Sequence, residues 1–151
     1  WDGVRFTLLR VEQRYGRNNG SCTVLIEGRQ STAYLAGDIE LAAEHKLFQY
    51  LPANVDFLLA PHHGSRTSSN ERFVSKLLPR WVVVSSGKDN RYGHPHADVV
   101  ARYKQVGSEV YSTAELGQIT YRSWRPQIEG VRCGFGRVCL PLTTRGSVEG
   151  F

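Results

Sequence analysis

Asp38, His62, His63, His94 and His96 are the residues of this chain whose types and positions suit metal or phosphate chemistry. Asp38 follows Ala36-Gly37 at the end of one apolar run. His62 and His63 close the next run inside Pro61-His62-His63-Gly64-Ser65, and His94 and His96 lie in Gly93-His94-Pro95-His96 after a third. Carboxylate oxygen and imidazole nitrogen together suit a borderline-hard divalent cation such as zinc, manganese or iron. Each position also has a plainer reading. Asp38 can cap the helix that follows it. His62 and His63 can be hydrogen-bonded loop residues, and on an extended backbone neighbours point to opposite faces, so one of the two faces a given cation. The proline after His94 steers that residue away from helical geometry and into a cap position. His96 falls in the first helical turn, where exposure is the default.

The same stretch offers an anion site. A helix beginning at Pro95 presents unpaired backbone N–H groups and a partial positive charge, and Asn90, Arg91 and His94 stand immediately before it. Ser65, Thr67, Ser68 and Ser69 form a second hydroxyl-rich segment, readable as a phosphate loop or as a solvated loop leading to the cap Asn70. Asn18-Asn19-Gly20-Ser21 reads as a tight turn.

These residues need a scaffold, and the hydrophobic pattern supplies one. Val4 to Arg10, Cys22 to Glu27 and Thr32 to Leu35 have strand composition, the last two joined through Gly28-Arg29-Gln30. From Ile39 to Tyr50 the period becomes helical, with Asp38 and Glu40 at the end where the helix dipole favours negative charge. Val55 to Ala60 and Trp81 to Ser85 read as strands buried on both faces. Helices are expected from Asn70 to about Leu78 and from Pro95 to about Val106, followed by strands Glu109 to Ser112 and Gln118 to Arg122. Alternating strands and helices predict an α/β layered architecture, in which ligands bind at the carboxyl ends of the strands. After Trp124 the pattern degrades, and residues 125–151 are set apart as a tail.

At 151 residues and 40% hydrophobic, the chain can bury the core of one domain. Its net charge of +5 permits a polyanionic partner without identifying one. The three cysteines form no C-x-x-C pair, which argues against a zinc knuckle. Cys133 and Cys139 are spaced for a small disulfide loop in an oxidising compartment, and Cys22, in an apolar run, is expected as a buried thiol. No apolar stretch approaches the ~20 residues that span a bilayer, and the first residues lack signal-peptide character, so the stretch reads as a soluble piece.

Asn18 to Cys22, Ala36 to Glu40, Pro61 to Ser65, Asn90 to His96 and Glu115 to Ile119, in that order, resemble the signatures of the C-terminal domain of the ComEC family of competence DNA-uptake proteins. The resemblance covers about residues 1–124. It implies an α/β fold, the second half of a metallo-β-lactamase-type αββα sandwich, with a mixed sheet and flanking helices. It further implies a metal-dependent nuclease that degrades the non-imported DNA strand, using manganese or zinc. By the same resemblance Asp38 and His63, or His62, are metal ligands, and Asp38 and His94 are catalytic, His94 positioning the phosphate or protonating the leaving group. Asn19, Ser21, Ser65, Asn90, Arg91 and His94 are the implied substrate contacts. Implied partners are DNA, the N-terminal half of the same domain and the membrane channel domain, on the periplasmic side of an inner membrane. The family's His-x-[His/Asp]-x-Asp-His ligand signature has no counterpart here, so the chain alone is expected to be metal-poor and inactive. Half a sandwich is also expected to expose an apolar face, through which two copies can pair. Two other functions fit the residues: a non-catalytic module that guides DNA to a pore, and a related metallo-hydrolase acting on another ester.

Overall fold

The computed structural model describes residues 3–12, 16–124, 127–133 and 139–143. Strands β1 (Arg5–Leu9), β2 (Thr23–Glu27), β3 (Thr32–Leu35), β4 (Phe57–Leu59), β5 (Trp81–Val84) and β6 (Glu109–Ser112) form a six-stranded mixed sheet in sequential order. The first three pair antiparallel as hairpins, and β3 to β6 run parallel. A parallel pair needs a crossover, and a helix supplies each one: α1 (Leu41–Leu47), α2 (Glu71–Leu77) and α3 (Ala97–Gln105). Because crossovers are right-handed and the strand order never reverses, all three helices fall on one face of the sheet. Their apolar residues, among them Ala43, Leu47, Phe73, Leu77, Val99 and Tyr103, form one core with Leu25, Tyr34, Leu58, Val82 and Val84. The fold is therefore α/β, with a mixed sheet flanked by helices, consistent with half of a metallo-β-lactamase-type sandwich.

The opposite face carries the alternate residues Ala33, Phe57, Trp81 and Val83. A second, antiparallel sheet lies on it, built from β7 (Gln118–Arg122), β8 (Gln127–Cys133) and β9 (Cys139–Thr143). Ile128 is buried there, and Tyr121 stacks on Phe57 with ring centroids 4.7 Å apart. The segment after Trp124, set apart in the sequence as a tail, thus supplies two strands, β8 pairing with β7 and β9 with β8. A one-turn helix, α4 (Thr113–Leu116), links β6 to β7. The cover is incomplete at the β1 edge, where Phe6 and Leu8 are 54% and 70% exposed.

Several boundaries and environments differ from the sequence-based expectation. The first helix ends at Leu47, and Phe48–Tyr50 continues as a 3-10 turn. The third begins at Ala97, because His96 keeps an extended backbone as its cap, so the expected anion site at Pro95 has no helix under it. Cys22 precedes β2 and is an exposed free thiol, not a buried one. The segment Ser65 to Ser69 is largely internal: Ser65, Ser68 and Ser69 are buried and hydrogen-bonded. Register sets Cys133 opposite Cys139 across β8 and β9, but their side chains, and with them the expected disulfide, lie outside the described ones.

Candidate functional site

Parallel register brings the chemistry-bearing residues together. Leu35 stands opposite Leu59, and Leu59 opposite Val83, so β3, β4 and β5 end on the same rim. Asp38 leaves the first of these strands, His62 and His63 the second, and His94 lies in the excursion that follows the third. The rim is fastened by backbone bonds from His62 N–H to the Gly37 carbonyl (2.9 Å) and from His96 N–H to the Gly64 carbonyl (3.1 Å). Gly64 makes the second approach possible: its φ is +77°, and a Cβ there would lie 2.7 Å from the Cβ of Pro95. Gly37, at φ +59°, sits against Ser21 and the Cys22 carbonyl, where a Cβ would make tight contacts of 3.3 Å.

His62 and His63 both adopt left-handed backbone geometry inside a 3-10 turn. The opposite-face argument made for an extended pair therefore does not apply, and both rings reach the rim. Ring centroids of His62, His63 and His94 lie 5.9 to 6.4 Å from one another, and His96 meets His94 edge-on at 5.1 Å. Partial burial, then the neighbouring imidazoles His96, His62 and His63, hold the pKa of His94 below its ordinary value.

The two members of the pair have different partners. The Nδ1 of His63 is 2.7 Å from the Ser85 carbonyl, which can only accept, so this nitrogen carries a proton, and in the neutral ring the Nε2 lone pair faces Asp38 Oδ1 at 3.5 Å. Two ligands of one tetrahedral cation, each roughly 2.1 Å from it, stand about 3.4 Å apart. His62 instead turns toward Glu40, Thr67 and Asn18, with Nδ1 3.2 Å from Glu40 Oε1 and from Thr67 Oγ1. Asp38 and His63 thus have the separation and donor chemistry of two ligands. Among the described residues, no group of three or more His, Cys, Asp or Glu side chains completes a metal site.

Several expected substrate contacts serve as fasteners. Asn19 is buried, and its Oδ1 accepts from Glu40 N–H (3.1 Å) and Ala43 N–H (2.9 Å), so it rather than Asp38 caps α1. Ser65 shares its hydroxyl with Thr67 at 3.1 Å. Asn90 clamps its own loop, accepting from His94 N–H and donating to the Gly87 and His94 carbonyls. Ser21 is half-buried beside Gly37, and Arg91 is exposed with its guanidinium over Tyr92. Sequence reasoning passed over Glu40, which accepts from Thr67 Oγ1 (2.8 Å) and Asn19 Nδ2 (3.3 Å), because an acid before a helix is explained by the dipole alone. Its one signal was its place two residues beyond Asp38, at the same strand end. Asn19→Ala removes the α1 cap and a Glu40 donor together. We expect a loss of roughly 1 to 2 kcal/mol, read as a lower urea midpoint at unchanged slope.

The architecture and rim define the class first: an α/β domain whose parallel strands deliver one carboxylate and a cluster of imidazoles to a common edge. No protein-family model matches the chain. It is 31% identical over 131 residues to Recombination protein 2 of Haemophilus influenzae, a match covering 85% of this chain and 16% of that protein. To ComE operon protein 3 of Bacillus subtilis it is 35% identical over 107 residues, 70% of this chain and 14% of the relative. To Competence protein ComA of Neisseria gonorrhoeae it is 30% identical over 136 residues, 87% and 20% respectively. The chain belongs to the ComEC family of competence proteins, and the matches span a fifth or less of these relatives' own length.

Proposed function

We propose that Asp38 and His63 are two ligands of a divalent-metal site, manganese or zinc, in a nuclease domain of a DNA-uptake channel. The remaining ligands come from protein outside these 151 residues. The observation that carries this reading is the 3.5 Å approach of Asp38 Oδ1 to a His63 Nε2 whose tautomer is fixed by the Ser85 carbonyl. When bound, such a cation supplies Lewis acidity at a phosphodiester. The chain's own residues orient the substrate: His94, in the imidazole cluster, contacts the phosphate or the leaving oxygen, and Glu40, Thr67 and Asn18 hold His62 beside it. Degradation of the strand that is not imported, on the periplasmic side, completes this reading, and relatives named for recombination and competence support its link to DNA uptake alone. No helix among the described residues is long and apolar enough to cross a membrane. The uncovered Phe6 and Leu8 strip on β1 is where we place the other half of the sandwich.

The test compares the complete protein with the 151-residue chain on labelled DNA, with manganese, with zinc and with EDTA. Cleavage by the complete protein that EDTA abolishes, and less than one equivalent of metal retained by the short chain after dialysis, are the expected results. DNA binding by the complete protein without metal-dependent cleavage would instead make this a guiding module, and cleavage only of a non-phosphate ester would reassign the substrate.

A further inference from the structure

Beside the imidazole cluster lies a cavity of about 470 Å³, lined by His63, His94, Tyr92, Asn90 and the turn from Ser85 to Gly87. Two of its residues, His63 and His94, belong to the rim described above, so whatever occupies it touches the reacting end of a substrate. Tyr92 supplies the largest ring in this lining. It is 59% exposed, yet it is held in place by the Arg91 guanidinium 4.7 Å from its ring centroid and by near-parallel stacking with His94 at 5.7 Å. Gly87 leaves the cavity wide, since a Cβ at that position would meet nothing within 4 Å. Its φ is not in the left-handed region, so no backbone strain calls for glycine there.

An aromatic ring lining an open volume, with the exposed Lys88 and Arg91 close to it in sequence, makes a stacking platform for a flat ring attached to a phosphate, the incoming ring taking the place of the exposed Arg91 guanidinium on Tyr92. The volume falls within the range of small-molecule sites. We propose that this cavity is a nucleobase pocket, in which Tyr92 stacks on a base next to the phosphate held at the Asp38 and His63 rim. This rests on the nucleic-acid reading above and extends it. A base inside a duplex cannot leave its stack without a penalty, so the pocket selects a single strand or a frayed end. Stacking is available to every base, so little sequence preference is expected.

The test is fluorescence anisotropy of the 151-residue chain with two labelled strands of equal length and charge, one oligothymidylate and one abasic deoxyribose phosphate. Wild type is expected to bind the base-bearing strand roughly tenfold more tightly. Tyr92→Ala and Gly87→Leu should each remove that preference, the first by deleting the platform and the second by filling the cavity, while Tyr92→Trp keeps it. Near-ultraviolet circular dichroism checks that the variants fold. Equal binding of both strands by wild type, or a preference that survives Tyr92→Ala and Gly87→Leu, overturns the pocket and leaves the nucleic-acid reading standing. Failure of the chain to bind either strand also overturns the pocket, while the nucleic-acid reading stands or falls separately on DNA cleavage by the complete protein.

Discussion

Asp38→Ala and His63→Ala should each lower metal-dependent DNA cleavage by the complete protein by roughly a thousandfold. A bound cation is worth several kcal/mol of charge stabilisation, and each 1.36 kcal/mol is a factor of ten in rate. His62→Ala should fall less, by roughly tenfold to a hundredfold, because its ring is engaged with Glu40 and Thr67 and acts by holding neighbours in place. Asp38→Asn separates charge from shape, since it keeps the side-chain outline while weakening a cation ligand. A manganese titration on the same variants supplies a readout independent of turnover: apparent affinity drops for Asp38→Ala and His63→Ala and holds for His62→Ala. Equal loss of affinity in His62→Ala and His63→Ala would remove the distinction between the two histidines. Unchanged cleavage in Asp38→Ala would end the metal assignment.

The strand ends were legible because a polar residue closing a short apolar run is conspicuous. Asp38, His62 and His63 each stand just after such a run and are gathered by parallel pairing of β3 and β4, whereas His94 lies in the longer excursion after β5 and is brought to the rim by the approach of His96 to Gly64. The α/β class followed from the alternation of periods, since helical crossovers are what parallel strands require. What the sequence hid depends on long-range contacts. The left-handed turn at His62 and His63 exists because Gly64 lets Pro95 close over it, a contact between residues 31 positions apart whose form no local propensity encodes. The capping of α1 by Asn19 rather than by Asp38 likewise joins a turn to a helix across 24 positions. The second sheet was missed because β8 and β9 are interrupted by glycine and proline, which weaken the alternation that marks a strand, while their partner face on Phe57 and Trp81 looked like an ordinary buried strand. An exposed cysteine at the mouth of β2 shows the same limit in miniature: one position decides between interior and solvent, and strand composition alone places a boundary less finely than that.

The rim loop depends on a carboxyl group buried well behind it, and removing that group should unfold much of what holds the site. Glu44 on α1 is fully buried, and its carboxylate accepts from the backbone N–H of Ser69, from the backbone N–H of Asn70 (3.0 Å) and from the Asn70 side chain. Ser69 is itself held in left-handed geometry, with Tyr103 donating to its hydroxyl at 2.8 Å. The same loop carries Thr67 to Glu40, and its Thr67 carbonyl accepts from Leu41 N–H, so α1 grips it at both ends. Glu44→Ala leaves several buried donors without an acceptor. Its expected cost is roughly 3 to 5 kcal/mol, a large share of a domain's stability of about 5 to 15 kcal/mol. The pH dependence follows from the direction of the shift. Burial raises the Glu44 pKa above its ordinary 4.5, against the lowering effect of the Asn70 and Ser69 hydrogen bonds and of Arg102. Between 4.5 and the raised value the folded state keeps a proton that the unfolded state releases, so stability falls as pH rises through that window and levels off above it. Glu44→Gln cannot ionise and should lose this slope, while retaining one oxygen for the Ser69 and Asn70 donors and therefore more stability than Glu44→Ala. Urea titrations of the three proteins from roughly pH 4.5 to 8 measure both effects. A wild-type slope of the opposite sign relative to Glu44→Gln would mean that the hydrogen bonds to the loop outweigh burial, and that the carboxylate is charged throughout.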